Sequence, residues 1–148
     1  MLAFGDRRPD LAYRHRPAAF GLLVDDGRIA LVRVERDQGR TYHDLPGGAV
    51  DGDETEAQAL VREFGEETGL LVEAGAEIVR ARQTFLKSDG EPVENSGGIY
   101  LATLVAPRPA LKIEDDHTLV WMPMREAITA LRHDSHAWAV AKWLRLAR

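Results

Sequence analysis

Residues 48–70 read GAVDGDETEAQALVREFGEETGL, and the rest of the chain is understood through this stretch. It carries Glu54, Glu63, Glu66 and Glu67 with Arg62, and closes on Gly69-Leu70. Asp53 followed by Glu56 has the spacing of a capping box, so the sequence predicts a helix that starts at Asp53. Ala57, Leu60, Val61 and Phe64 fall at i, i+3, i+4 and i+7 and make a single apolar stripe. Gly69 is the expected left-handed C-cap. Gly65 inside the helix costs about 1 kcal/mol against alanine, a cost that a close neighbour would explain.

Glu63, Glu66 and Glu67 share a face, because residues three and four apart in a helix are neighbours. With about 100° between successive residues, that face lies beside the Leu60/Phe64 stripe, at the edge of the core. Like charges so placed destabilise a helix by a few tenths of a kcal/mol per pair when exposed, and more when partly buried. A divalent cation that prefers oxygen ligands, Mg²⁺ or Mn²⁺, would compensate them. Mg²⁺ commonly takes further ligands from a phosphate-bearing substrate, which makes phosphoryl chemistry the natural use. A bare E-x-x-E-E, however, is more often a solvated surface than a metal site.

The wider spacing changes that balance. Gly48, five residues, Glu54, seven residues, then Arg62-Glu63-Phe64-Gly65-Glu66-Glu67-Thr68-Gly69-Leu70 resembles the Nudix box, G-x5-E-x7-R-E-U-x-E-E-x-G-U, with U a bulky apolar residue. Every polar and glycine position matches, and Phe64 keeps the apolar role of a position that is usually aliphatic. With ordinary residue frequencies such a match arises by chance on the order of once in 10⁹ start positions. Leu45-Pro46-Gly47-Gly48 ahead of the box is also similar to the family. The resemblance implies an α+β Nudix-type α/β/α sandwich with a central mixed sheet, and a metal-dependent hydrolase that splits a pyrophosphate linkage by attack of water at phosphorus. It implies a nucleoside diphosphate linked to another moiety as the small-molecule substrate. It also implies Glu63, Glu66 and Glu67 as metal ligands, a backbone carbonyl near Gly47-Gly48 as a further ligand, Arg62 orienting Glu63, and Glu54 supporting the loop–helix geometry by pairing with Arg62. The general base is left open between a box glutamate and a later acidic or histidine residue. Glu114, Asp115, Asp116 and His117, or Glu91 and Glu94, are the later candidates.

Outward from the box, residues 1–16 are polar and Arg-rich and are expected to form an extended arm, with Arg14, His15 and Arg16 solvated. Apolar runs 18–24 and 28–35 flank Asp26-Gly27, a strong hairpin signal. Residues 35–44 are expected to be a loop, 70–73 and 77–86 two strands, 87–98 a polar loop, 99–106 a strand and 119–122 a short strand. Residues 124–131 and 135–146 are expected to be helices, the second with Trp138, Ala141 and Leu144 on one face. The pattern reads as one mixed sheet with helices on both faces, in one domain spanning residues 1–148.

Bulk properties exclude several classes. The 148 residues hold no cysteine, so disulfides and thiolate chemistry are excluded, and no apolar run is long enough to span a membrane. A net charge of −5 argues against wrapping duplex nucleic acid. No signal peptide is recognisable, and a cytoplasmic location is expected. Arg33 and Arg36, near the end of the second apolar run, are candidates to hold substrate phosphates, as are Glu114, Asp116 and His117 to contact substrate. Tyr42, Phe85 and Tyr100 are candidate stacking residues, though an aromatic on a strand is more often core. His133 and His136 lack a third ligand and are not read as a zinc site. Substrate signatures outside the box are missing: no tyrosine follows it at the distance typical of dinucleoside polyphosphate hydrolases, and Pro92 lies later than the proline typical of ADP-ribose pyrophosphatases. A non-catalytic nucleotide-binding module and an RNA 5′-end pyrophosphohydrolase are the alternatives, and a homodimer is compatible with the Arg-rich arm and the last helix.

Overall fold

Apolar residues on both sides of one strand require cover on both faces of its sheet. In the computed structural model, which describes residues 1–147, that requirement organises the chain. The strands are β1 (Leu2–Phe4), β2 (Arg14–Asp25), β3 (Arg28–Glu35), β4 (Thr41–Asp44), β5 (Gly47–Ala49), β6 (Leu70–Leu86), β7 (Pro92–Pro107) and β8 (His117–Pro123). The helices are α1 (Glu56–Thr68), α2 (Met124–Ala130) and α3 (Asp134–Leu146). The sheet runs β1-β6-β7-β2-β3-β4, with β5 on β2 and β8 on β3; β1/β6 and β2/β7 are parallel and the other pairs antiparallel.

Period-two alternation divides the core. Ala19 and Leu23 of β2 and Ala30 of β3 meet Leu60 and Phe64 of α1 on one face. Leu22 of β2 and Ile29 and Leu31 of β3 meet Ala127 of α2 and Ala139 and Val140 of α3 on the other. The result is the expected mixed-sheet sandwich. β2 and β3 pair only beside their turn, at Val24–Ile29 and Asp25–Arg28, where Asp26 and Gly27 hold φ of 51° and 76° as a two-residue hairpin demands. Farther along, β2 gives that edge to β5, with Ala18–Phe20 set against Ala49–Gly47. The strands thus part, and the box residues enter between them.

Several local expectations are corrected. Residues 1–16 are not a free arm: Leu2–Phe4 pair with Ala81–Gln83, and Arg14 already belongs to β2. Residues 41–44, expected in a loop, form β4 against β3. Helix α1 starts at Glu56 rather than Asp53. A turn intervenes, closed by the Glu54 amide on the Asp51 carbonyl, and Thr55 is the cap, with Thr55 and Gln58 bonding each other's amides in a capping box. The two strands expected over 70–86 are one strand with bulges near 71–79. Residues 92–98, expected as loop, pair with both β6 and β2. Two expectations concerning glycines hold. Gly69 caps α1 at φ 75°, and a side chain on Gly65 would meet Leu111 at 3.2 Å, the close neighbour its place in the helix requires.

Candidate active site

The box stretch closes around Arg62. Its Nε and Nη2 donate to the two oxygens of Glu54 at 2.8 and 2.9 Å, and its Nη1 donates to Glu63 at 2.9 Å and Glu66 at 3.3 Å. Nη2 also reaches the Ala49 carbonyl at 3.1 Å, tying α1 to β5. Glu54 in turn accepts the Asp51 amide at 2.9 Å. The hydrogen bonds from Arg62, then that from Asp51, hold the Glu54 carboxyl down to about 2. The same bond to Glu54 raises Arg62 above its ordinary value, so this cluster stays fully ionised.

Glu67 lies one turn on, only 6 % exposed. One oxygen accepts the Gly47 amide at 2.9 Å and the other faces His117 Nε2 at 3.3 Å. Burial pushes the Glu67 carboxyl up to about 7 against the pull of His117 and the Gly47 amide. Burial alone would lower His117, but its contacts with Glu67 and with Asp116, 2.7 Å from Nδ1, prevail and raise it to about 9. Asp116 is held by Arg36, whose Nε donates to the Tyr42 hydroxyl at 3.1 Å. A connected polar chain therefore runs Glu67–His117–Asp116–Arg36–Tyr42. Burial also raises Glu63, with Arg62 opposing.

Glu63, Glu67, Gly48, His117, Glu114 and Arg36 line a cleft of about 260 Å³. Glu66 and Glu54 are held on the Arg62 side and do not line it. Arg33 is also outside, with its guanidinium 3.4 Å from Glu35. Tyr42 and Phe85 line the cleft, whereas Tyr100 donates to Glu56 at 2.7 Å and serves packing between α1 and β7. Glu91 and Glu94 pair with Arg14 and Arg7 on the outer surface. Among the described residues, Glu114, Asp116 and His117 bring three ligand atoms within 4.8 Å of one another. The helix glutamates make no such group, because Arg62 draws Glu63 and Glu66 while Glu67 turns to Gly47.

The cleft also contains residues that sequence reasoning missed. Arg16, expected to be solvated, donates through Nε to Asn95 Oδ1 at 2.7 Å inside it. Arg132 makes a fork to Asp44 at 3.1 and 2.7 Å and lies over Tyr42. The available signal for Arg16 is register: it lies four residues before Phe20 on one strand, so the two share a face, and both line the cleft. His133 and His136 are buried with their rings 5.1 Å apart.

Residues 14–144 match the model of the NUDIX domain. The chain is 29% identical to the putative mutator protein MutT4 of Mycobacterium tuberculosis over 80% of its length, and 33% identical to the putative 8-oxo-dGTP diphosphatase 3 of the same organism over 92%. It spans 50% and 64% of those two relatives. Its fold matches a NUDIX hydrolase from Nitrosomonas europaea with a TM-score of 0.70 at 17% identity, over 91% of this chain and 92% of the other.

Proposed function

The chain belongs to the Nudix family, and on that premise we propose that it is a metal-dependent pyrophosphohydrolase acting on nucleotides whose diphosphate linkage it splits with water. The observation that carries this reading is the pair of desolvated carboxylates, Glu63 and Glu67, facing one cleft beside a glycine backbone. The relative named as an 8-oxo-dGTP diphosphatase supports a nucleoside triphosphate among the substrates to test.

The donor set fits a hard cation. Glu63, Glu66 and Glu67 offer only oxygen, and a side chain at Gly48 would fill the space where the Glu63 carboxylate lies, 2.8 Å from the ideal Cβ. Mg²⁺ or Mn²⁺ would be held by Glu63 and Glu67 with the backbone at Gly48, and by Glu66 on leaving its Arg62 contact. Bound there, such an ion supplies positive charge to the diphosphate and makes coordinated water more acidic. Arg62 orients Glu63 and Glu66 through its Nη1 hydrogen bonds, and the Gly47 amide and His117 fix the two oxygens of Glu67.

Attack forms a bond from water oxygen to phosphorus and breaks the bridging P–O bond, so one phosphate leaves with the bridging oxygen. The water proton must pass to a base. We assign Glu114, a cleft carboxylate with no ion-pair partner among the described residues, carried on a segment whose residues 113 and 114 both donate their amides to the Glu66 carbonyl.

The test is product release from a panel of nucleoside triphosphates, nucleotide sugars and 5′-triphosphorylated RNA, with Mg²⁺ or Mn²⁺. Glu67→Gln should remove turnover, and Glu114→Gln should lower kcat by about 100-fold or more with little change in KM. No turnover by the parent chain, matched by Glu67→Gln, would sink the reading. Undiminished kcat in Glu114→Gln would remove Glu114 as the base.

A further inference from the structure

Three guanidinium groups and two rings alternate along one wall of the cleft. Arg36 lies 5.7 Å from the Tyr42 centroid, Arg132 lies 3.7 Å from Tyr42 and 5.2 Å from Phe85, and Arg16 lies 5.9 Å from Phe85. Both rings are therefore engaged by cations, and Phe85 also meets His133 at 4.7 Å. This wall offers a ligand guanidinium edges more than open aromatic faces.

The three cations differ in how they are balanced. Arg36 is paired with Asp116 and Arg132 with Asp44. Arg16 makes one side-chain hydrogen bond, through Nε to the neutral oxygen of Asn95, and takes part in no ion pair among the described residues. Burial, then the nearby charges of Arg14 and Arg132, hold it below the ordinary arginine value, with Glu63 and Glu91 opposing. A partly buried guanidinium that its surroundings disfavour is a place short of negative charge. Among the described residues neither terminal nitrogen of Arg16 has a hydrogen-bond partner, and Asn95, having turned its oxygen to Arg16, has its amide hydrogens left to offer. Arg16 and Asn95 therefore both have donors to spare for a ligand.

We propose that Arg16 is a specificity residue that binds an additional phosphate of the substrate, beyond the diphosphate that is split, so that nucleotides with three phosphates are preferred over nucleotides whose second moiety is uncharged. This rests on the pyrophosphohydrolase reading above. The acceptor edge of guanine also fits an arginine fork. The uncompensated charge favours the phosphate, because a phosphate brings the negative charge that Arg16 lacks, whereas guanine offers it only neutral acceptors.

The test compares the parent chain with Arg16→Gln and Arg16→Lys on dGTP, dATP and ADP-ribose, with a thermal melt of each variant. Metal-free calorimetry with inorganic tripolyphosphate and pyrophosphate runs alongside. Arg16→Gln should lower kcat/KM for both triphosphates by about 10- to 100-fold, and for ADP-ribose by less than about 3-fold. Arg16→Lys should recover most of the loss, since an ammonium still serves a phosphate as a point charge. Tripolyphosphate should bind the parent more tightly than pyrophosphate, and Arg16→Gln should erase that difference. Equal loss on all three substrates would overturn the proposal. Loss confined to dGTP, with lysine as poor as glutamine, would overturn it in favour of guanine readout. Turnover of ADP-ribose with tripolyphosphate binding indifferent to Arg16 would remove this inference and keep the hydrolase. Absence of all turnover, with Arg16-dependent tripolyphosphate binding, would do the reverse.

Discussion

An ideal Cβ on Gly48 would sit 2.8 Å from the Glu63 carboxyl carbon and about as close to its oxygens, at 3.0 and 3.1 Å. The obstacle is the far end of a flexible side chain, and Gly48 is absent from the glycines with positive φ, so alanine there has little reason to unfold the chain. It has every reason to move Glu63. Gly48→Ala should therefore lower kcat/KM by about 100-fold while the melting temperature changes by less than about 4 °C. A variant that keeps full activity would show that the position of the Glu63 carboxylate is not critical. At this scale the sequence was informative through the motif: the contacts of Arg62 with Glu63 on its own helix and with Glu54 on the preceding turn are those the resemblance implies. Arg16 was illegible because its neighbours in sequence, Arg14 and His15, are exposed. What makes Arg16 different is Asn95 and Phe85, each brought to it from far along the chain.

Among the elements, α1 shows how a correct helix can be assigned the wrong start. Asp53 and Glu56 have capping-box spacing, but residues 51–54 are consumed by a turn that lets Glu54 reach Arg62. Thr55 then receives the Gln58 amide at 3.1 Å and its own amide donates to Gln58 at 2.9 Å. Thr55→Ala should cost about 1 kcal/mol in urea unfolding, whereas Asp53→Ala, at an exposed residue outside the helix, should cost less than about 0.5 kcal/mol. The reverse order would restore Asp53 as the cap. The same conflict between local pattern and site explains residues 92–98. Asn95 is polar because it faces Arg16 in the cleft, and Gly97 leaves no space for a side chain against the Ala18 carbonyl. A strand that serves a polar cleft loses the apolar alternation by which strands are recognised, while 99–106, away from it, keeps its strand character.

At the scale of the molecule, His136 ties α3 to the segment that leads into the box glycines. Its ring is buried against Phe20 at 4.5 Å, and its Nδ1 accepts the Leu45 amide at 3.1 Å, which anchors α3 to the segment leading into Gly47 and Gly48. Accepting that bond requires an unprotonated Nδ1. Burial pushes His136 down to about 4, with Asp44 opposing and Arg132 assisting; burial, His136, Arg132 and Arg16 depress His133 still further. The unfolded chain, with histidines near pH 6.5, thus binds protons that the fold refuses. Stability from these residues is complete above about pH 6.5 and is lost as the pH falls toward the folded value, by up to about 1.4 kcal/mol per pH unit for each histidine. Glu67 works in the opposite direction. Its raised value lets the fold keep a proton that an unfolded glutamate has released, so it adds stability on acidification from about pH 7 toward 4.3. The total profile is accordingly flattened, and a difference measurement isolates the histidine. Urea unfolding of the parent and of His136→Asn between about pH 7.5 and 4.5 should show the variant less stable at neutral pH. The gap should narrow by about 1 kcal/mol per pH unit below about pH 6. Parallel profiles would mean that His136 titrates in the fold as it does in the unfolded chain, and that its bond to Leu45 does not hold α3 to the glycine segment of the cleft.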